Sequence, residues 1–129
     1  MTGMSALYSH PLASDNTQTF VAFDTKYADS IAVDLNVTAF TGGTTPTITF
    51  AVDRLAADGI TWFQVWTSGA LNAPGIVSVD IGRFGMTYAA GSVTAQHAIL
   101  TGSTRLRWAW GGGVNPTAVT WFASVTGRG

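Results

Sequence analysis

The stretch SIAVDLNVTAFTGGTTPTITFAVDR, residues 30–54, decides the fold. Ile31, Val33, Leu35, Val37 and Ala39 fall on one side of it, and Ala32, Asp34, Asn36 and Thr38 on the other. Successive side chains leave a β-strand in opposite directions, so strict alternation marks a strand with one buried face. Gly42, Gly43 and Pro46 then punctuate a turn. Alternation resumes at Ile48, Phe50 and Val52. Two such runs about one turn predict a β-hairpin.

The same pattern extends in both directions. Asp58-Gly59 between apolar runs is a strong hairpin signal, because these residues tolerate positive φ. The strand expected at 60–67 places Trp62 and Trp66 on one face and Phe63 and Val65 on the other. Both faces are apolar, so the strand is either central or covered by a partner. A loop is expected at 68–75 and a strand at 75–81. Residues 83–92 read as a glycine-rich loop or a poor edge strand, and 93–100 as a strand or a short helical turn. Residues 104–110 alternate again, with Leu106, Trp108 and Trp110 against Arg105, Arg107 and Ala109. A closing strand is expected at 117–126 and a first one at 17–24. Residues 1–16 show no period and read as an extended N-terminal arm. The expectation is one domain over 17–129, with 68–103 resembling an insertion.

Gly42-Gly43-Thr44-Thr45-Pro46-Thr47 is echoed by Gly112-Gly113-Val114-Asn115-Pro116-Thr117, each after one alternating run and before another. Two equivalent hairpins suggest two similar sheet halves packed face to face. The alternative is that Gly-Gly and Pro-Thr are common punctuation. The expected fold is all-β, an antiparallel β-sandwich, jelly-roll-like, of about eight strands.

Composition agrees. The chain has 129 residues, 47% of them hydrophobic and only 10% charged, against about 25% charged in a typical soluble domain. It has no Glu and one Lys, Lys26, so the wet face of an amphipathic helix lacks its usual residues. The net charge is −1, and the one close basic pair is Arg105 and Arg107. A nucleic-acid partner is not expected, because the electrostatic attraction it needs is missing. No stretch reaches the roughly 20 apolar residues of a membrane helix. The N-terminal residues lack a signal peptide's basic and apolar regions. The chain is therefore expected to be made and used in soluble form, away from membrane.

Catalytic chemistry finds thin material. There is no Cys, and the two His residues, His10 and His97, are far apart. Thiolate and short-spaced zinc sites are thus not expected. Each Asp has a structural explanation: Asp58 in its turn, Asp34, Asp53 and Asp80 on polar strand faces, and Asp15, Asp24 and Asp29 at strand ends or in loops. Paired catalytic carboxylates are not indicated. No Gly-x-Ser-x-Gly elbow or phosphate loop is present. A dispersed Ser–His–Asp triad stays open as a hydrolase reading, because its members need not be adjacent. No catalytic residue, metal or cofactor is expected.

The five Trp residues admit three roles: core, protein interface, or sugar-stacking platform. Trp108 and Trp110 share a face with Leu106 and are expected inside. Trp62 and Trp66 compete with Phe63 and Val65, so one pair is expected outside. Aromatic residues and Arg are enriched in interfaces. The candidate interface residues are Trp62, Trp66, Phe63, Arg105 and Arg107, with Tyr8 and His10 on the arm.

Several of these features occur together in one family. The run of residues 41–52, Asp58-Gly59-Ile60-Thr61-Trp62, Arg105-Leu106-Arg107-Trp108 and residues 112–117 resembles small β-sandwich virion proteins of tailed bacteriophages. The likeness covers roughly residues 30–67 and 104–126. It implies a head decoration (cement) or minor tail protein, made in the bacterial host cytoplasm and located in the virion. Its implied partners are the major capsid protein or other virion proteins, with homo-oligomers, a trimer among them. A carbohydrate-binding module at a tail or fibre is the alternative. The resemblance carries no catalytic residues. The segment 68–103 and the arm depart from the compact pattern.

Overall fold

The computed structural model describes residues 4–9, 20–26, 28–82, 93–97 and 102–128. Nine strands follow in chain order: β1 Met4–Ser9, β2 Phe20–Asp24, β3 Ser30–Thr41, β4 Thr47–Leu55, β5 Trp62–Leu71, β6 Gly75–Gly82, β7 Val93–His97, β8 Ser103–Gly111 and β9 Ala118–Arg128. Six long strands carry two antiparallel three-stranded sheets, β9–β3–β6 and β8–β4–β5, and the short strands β1, β7 and β2 flank them. The strand count thus departs from the eight expected. β7 runs parallel to β6; among the described residues every other strand pairing is antiparallel.

The alternation expected from the sequence builds the core. Ile31, Val33, Leu35 and Val37 of β3 are buried, as are Ile48, Phe50 and Val52 of β4. Leu106 and Trp108 of β8 face Val119, Trp121, Ala123 and Val125 of β9 within one cluster. Trp121 is fully buried at its centre. Its ring meets Phe50 at 5.1 Å and Trp108 at 4.8 Å, both edge to face, the arrangement that sets a positive ring edge against a negative face.

The two echoing turns are not hairpins. β3 and β9 lie in one sheet and β4 and β8 in the other, so each turn carries the chain across the sandwich. The connections pair with each other instead. Thr41 pairs with Ala118, Thr44 with Val114 and Thr47 with Gly111. Thr44 and Val114 exchange both backbone hydrogen bonds, each at 3.1 Å. The bent segment β3–β4 therefore runs antiparallel to β8–β9 along its whole length, about a local two-fold axis between Thr44 and Val114. The sequence echo is the trace of that axis.

Glycine is required where the connections touch. A Cβ on Gly43 would stand 2.7 Å from the Val114 carbonyl oxygen, and one on Gly112 would stand 2.3 Å from that of Thr45. Both residues also have positive φ, 79° and 122°, which side chains disfavour.

The β4–β5 connection is a hairpin, as Asp58-Gly59 indicates. Asp58 Oδ1 accepts from the backbone N–H groups of Ile60 and Thr61 at 2.8 and 2.9 Å, and Oδ2 accepts from the Thr61 hydroxyl at 2.7 Å. These bonds hold the Asp58 carboxyl below its ordinary pKa. Gly59 takes a φ of 74°.

Two bulged strands correct the expected faces. Val37 pairs with Trp121 but Ala39 with Thr120, so Thr38 is an extra residue in β3. An extra residue reverses the in–out parity of everything beyond it. Ala39 is consequently exposed and Phe40 packs on the core. In β5, Val65 and Ser68 are the extra residues, since Asp53 pairs with Gln64, Val52 with Trp66, Ala51 with Thr67 and Phe50 with Gly69. Thr67 Oγ1 donates to the Phe50 carbonyl and Ser68 Oγ accepts from its N–H, both at 3.0 Å.

The segment 68–103 supplies part of the sandwich. β5 continues to Leu71, and β6 places Val79 and Ile81 in the core beside β3. Residues 4–9 of the arm run as an edge strand against β9 of the same chain. Residues 10–19 and 83–92, including His10, lie outside the described residues, and 93–97 form a strand rather than a helical turn.

Candidate functional site

Strand order gathers a polar and aromatic cluster on the outer face of the β2–β8–β4–β5 sheet. Within β8, Leu106 and Trp108 point inward, so Arg105 and Arg107 point outward. β4 pairs alongside, opposing Asp53 to Arg105 and Ala51 to Arg107. β5 adds Gln64 opposite Asp53. β2 adds Phe20 opposite Arg107 and Ala22 opposite Arg105.

Asp53 is the centre, at 2% exposure on what is formally the solvent face. Its Oδ2 accepts from Arg105 Nε at 2.7 Å and from Arg107 Nε at 2.6 Å, and its Oδ1 accepts from Arg107 Nη2 at 3.2 Å. Arg107 Nη2 also donates to Gln64 Oε1 at 2.7 Å. Burial pushes the Asp53 carboxyl up. The hydrogen bonds and charges of Arg107 and Arg105 outweigh it and hold the pKa below the ordinary value. The cluster keeps one surplus positive charge.

Arg105 is flanked by rings. Its guanidinium carbon lies 4.5 Å from the Trp62 centroid and 5.3 Å from that of Phe20, within cation–π range. Arg105 bonds Asp53 through Nε alone, and no described residue occupies its terminal nitrogens. A guanidinium has five N–H donors in a rigid fork, so this one is fixed in place with donors to spare. Such a group suits a carboxylate or carbonyl on a partner.

Three of the sequence-derived candidates therefore meet: Trp62, Arg105 and Arg107. Trp66 does not join them. The extra residue Val65 turns Trp66 onto the core side, so Trp62 and Trp66 lie on opposite faces rather than one. Phe63 opposes Arg54, on the inward parity beyond the end of the core cluster, and is 51% exposed. Tyr8 lies in β1, in the other sheet, opposite Ala123. Asp53, Gln64 and Phe20 escape sequence reading as site members. Asp53 alternates like an ordinary solvent-facing Asp, and its partners come from a strand some fifty residues on, at separations of 52 and 54.

Among the described residues, no group of three His, Cys, Asp or Glu side chains is placed to hold a metal ion, and no helix is long and apolar enough to cross a membrane. Fold and site define a two-sheet antiparallel sandwich with a rigid arginine–aromatic face. Comparison with protein-family models and with curated protein sequences finds no match.

Proposed function

We propose that this protein is a bacteriophage virion structural protein, a capsid decoration (cement) component that stabilises the head through protein–protein contacts. The observation that carries this reading is the nesting of the strand pairs. β1 pairs with β9, β2 with β8, β3 with β6 and β4 with β5, the pattern of one long hairpin rolled into a sandwich, with β7 added. That order supports a jelly roll, an architecture that viral capsid domains use. The outer face bearing Phe20, Trp62, Arg105 and Arg107 is the contact surface for the major capsid protein or another virion protein. Arg and Trp are the residue types that dominate binding energy at interfaces, and these are already ordered before contact. With one buried carboxylate taking up one of the two arginine charges, the face suits a protein surface better than a polyanion.

The test compares phage particles made with and without this chain. Loss of the protein is expected to lower the particles' disassembly temperature, and Trp62→Ala to lower its occupancy on them. Its absence from purified particles, with unchanged disassembly, would overturn the reading. Gln64, on the same strand face as the partly buried Trp62, favours a second reading, a glycan-binding tail or fibre module. The Arg105 guanidinium already on that ring weakens it, and a blank glycan array would dispose of it.

A further inference from the structure

The hairpin tip at Asp58-Gly59 joins two groups that react with each other in an unstructured polypeptide. A backbone amide nitrogen that follows an aspartyl residue attacks that residue's side-chain carboxyl. Glycine in the second position favours the attack, because it has no side chain to crowd the nitrogen. The space at Gly59 is open, since a Cβ placed there would meet nothing within 4 Å. Asp58 and Gly59 are both exposed, so water reaches the bond between them.

The fold holds each reactant elsewhere. The Gly59 N–H donates to the Ala56 carbonyl oxygen at 3.0 Å. Asp58 Oδ1 accepts from the N–H groups of Ile60 and Thr61, and Oδ2 accepts from the Thr61 hydroxyl at 2.7 Å. Both carboxylate oxygens are thus engaged on residues beyond the attacking nitrogen. The same bonds hold the carboxyl below its ordinary pKa, so less of it is protonated. The ionised form is the poorer electrophile, because it has no hydroxyl to lose. Behind the tip, the Ala56 N–H donates to the Thr61 carbonyl oxygen at 2.7 Å, and Leu55 pairs with Trp62. Attack therefore requires the tip to open.

We propose that Asp58-Gly59 is a self-modification site gated by its hairpin, converting to isoaspartate when the tip opens and spared while it is closed. On opening, the Gly59 nitrogen bonds to Asp58 Cγ, and its proton and the carboxyl hydroxyl leave as water. The five-membered imide then takes water back. Breaking its Cγ–N bond restores Asp58. Breaking the bond from nitrogen to the backbone carbonyl carbon leaves the main chain running through Cβ and Cγ. No mass is gained or lost overall, and water is the one co-reactant. The product lengthens the turn by one backbone atom and shortens the carboxylate's arm by one methylene. It cannot remake the bonds to Ile60 and Thr61, so the change is a lasting record of opening. β5 begins at Trp62, whose ring centroid lies 4.5 Å from the Arg105 guanidinium carbon. Conversion is expected to loosen that contact too. The inference rests on the hairpin alone and stands apart from any role in a particle.

The test ages the purified chain at neutral pH, folded and in guanidinium chloride. Trypsin then releases residues 55–83 as a single peptide, which carries Asn72 and Asp80 as internal references. Electron-transfer fragmentation locates isoaspartate within it. The unfolded chain is expected to form isoaspartate at position 58 at least about tenfold faster than the folded one. Thr61→Val removes only the hydroxyl bond and is expected to raise the folded rate about fivefold. Thr61→Ser keeps the hydroxyl and should age like the wild type. Asn72 and Asp80 should not respond to Thr61→Val. Equal rates in the folded and unfolded wild type overturn the gate, a comparison that stands whether or not a variant folds. An unfolded chain with no isoaspartate at position 58 overturns the site. A folded Thr61→Val that ages like the wild type also overturns the proposal, because the bonds to Asp58 would then not be what restrains it.

Discussion

Asp53 concentrates the electrostatics of this protein in one side chain. Its carboxylate is buried at 2% exposure and held by Arg105 and Arg107 at 2.7 and 2.6 Å. Its folded pKa lies below the ordinary value of 3.8. A depressed carboxylate contributes stability that is fully present above the unfolded pKa and is lost as pH falls through the folded one. Stability from this group is therefore expected to be flat above about pH 5 and to fall below about pH 4. Thermal melts across pH 2–6 check it: the wild type should lose more stability on acidification than Asp53→Asn, which has no carboxylate to protonate. At neutral pH the Asn variant should be less stable by about 2 kcal/mol, since it loses charged hydrogen bonds but leaves arginines that reach water. Equal acid sensitivity in the two proteins would remove Asp53 from this role.

At the scale of elements, the extra residues in β3 and β5 decide which side chains face in. Trp62 and Trp66 look equivalent in the sequence and lie on opposite faces because Val65 shifts the parity between them. Urea denaturation separates the two. Trp66→Ala is expected to cost about 2–4 kcal/mol because it opens space against the core. Trp62→Ala should cost about 1 kcal/mol, the share of a partly buried cation–π contact on the outer face. The reverse ranking would mean that β5 has no extra residue at Val65. The paired connections make a second claim. Gly43→Ala drives a Cβ toward the Val114 carbonyl at positive φ, and should lower stability by about 1–3 kcal/mol. Gly59→Ala has the same backbone sign but meets nothing within 4 Å, so it should cost only about 1 kcal/mol. The difference between the two isolates the contact between the connections.

At the scale of the whole molecule, one aromatic joins both sheets. Trp121 of β9 meets Phe50 of β4 and Trp108 of β8 across the sandwich. Trp121→Ala is expected to cost about 3–5 kcal/mol, a large part of the 5–15 kcal/mol that holds a typical domain together. Calorimetry should show a broad or missing transition. An intact sharp one would mean that the sheets hold together without this contact. The same architecture sends the two outer faces in opposite directions, one with Arg105 and Arg107 and the other with Asp34 and Asp80.

Local sequence determined the strands, because alternation at Ile31–Val37, Ile48–Val52 and Leu106–Trp108 records which faces avoid water. It also determined the Asp58-Gly59 hairpin, whose bonds are made within a few residues. The Gly-Gly and Pro-Thr echo was legible as a repeat, but its meaning was not. A turn that folds back and a turn that crosses between sheets use the same residues, and only the pairing of Thr44 with Val114 tells them apart. Likewise Arg105 and Arg107 were visible as a pair on one strand face. Their joining to Asp53, Gln64, Phe20 and Trp62 was decided by tertiary structure alone, because it rests on contacts between strands far apart in the chain and on one extra residue that turns Trp66 away.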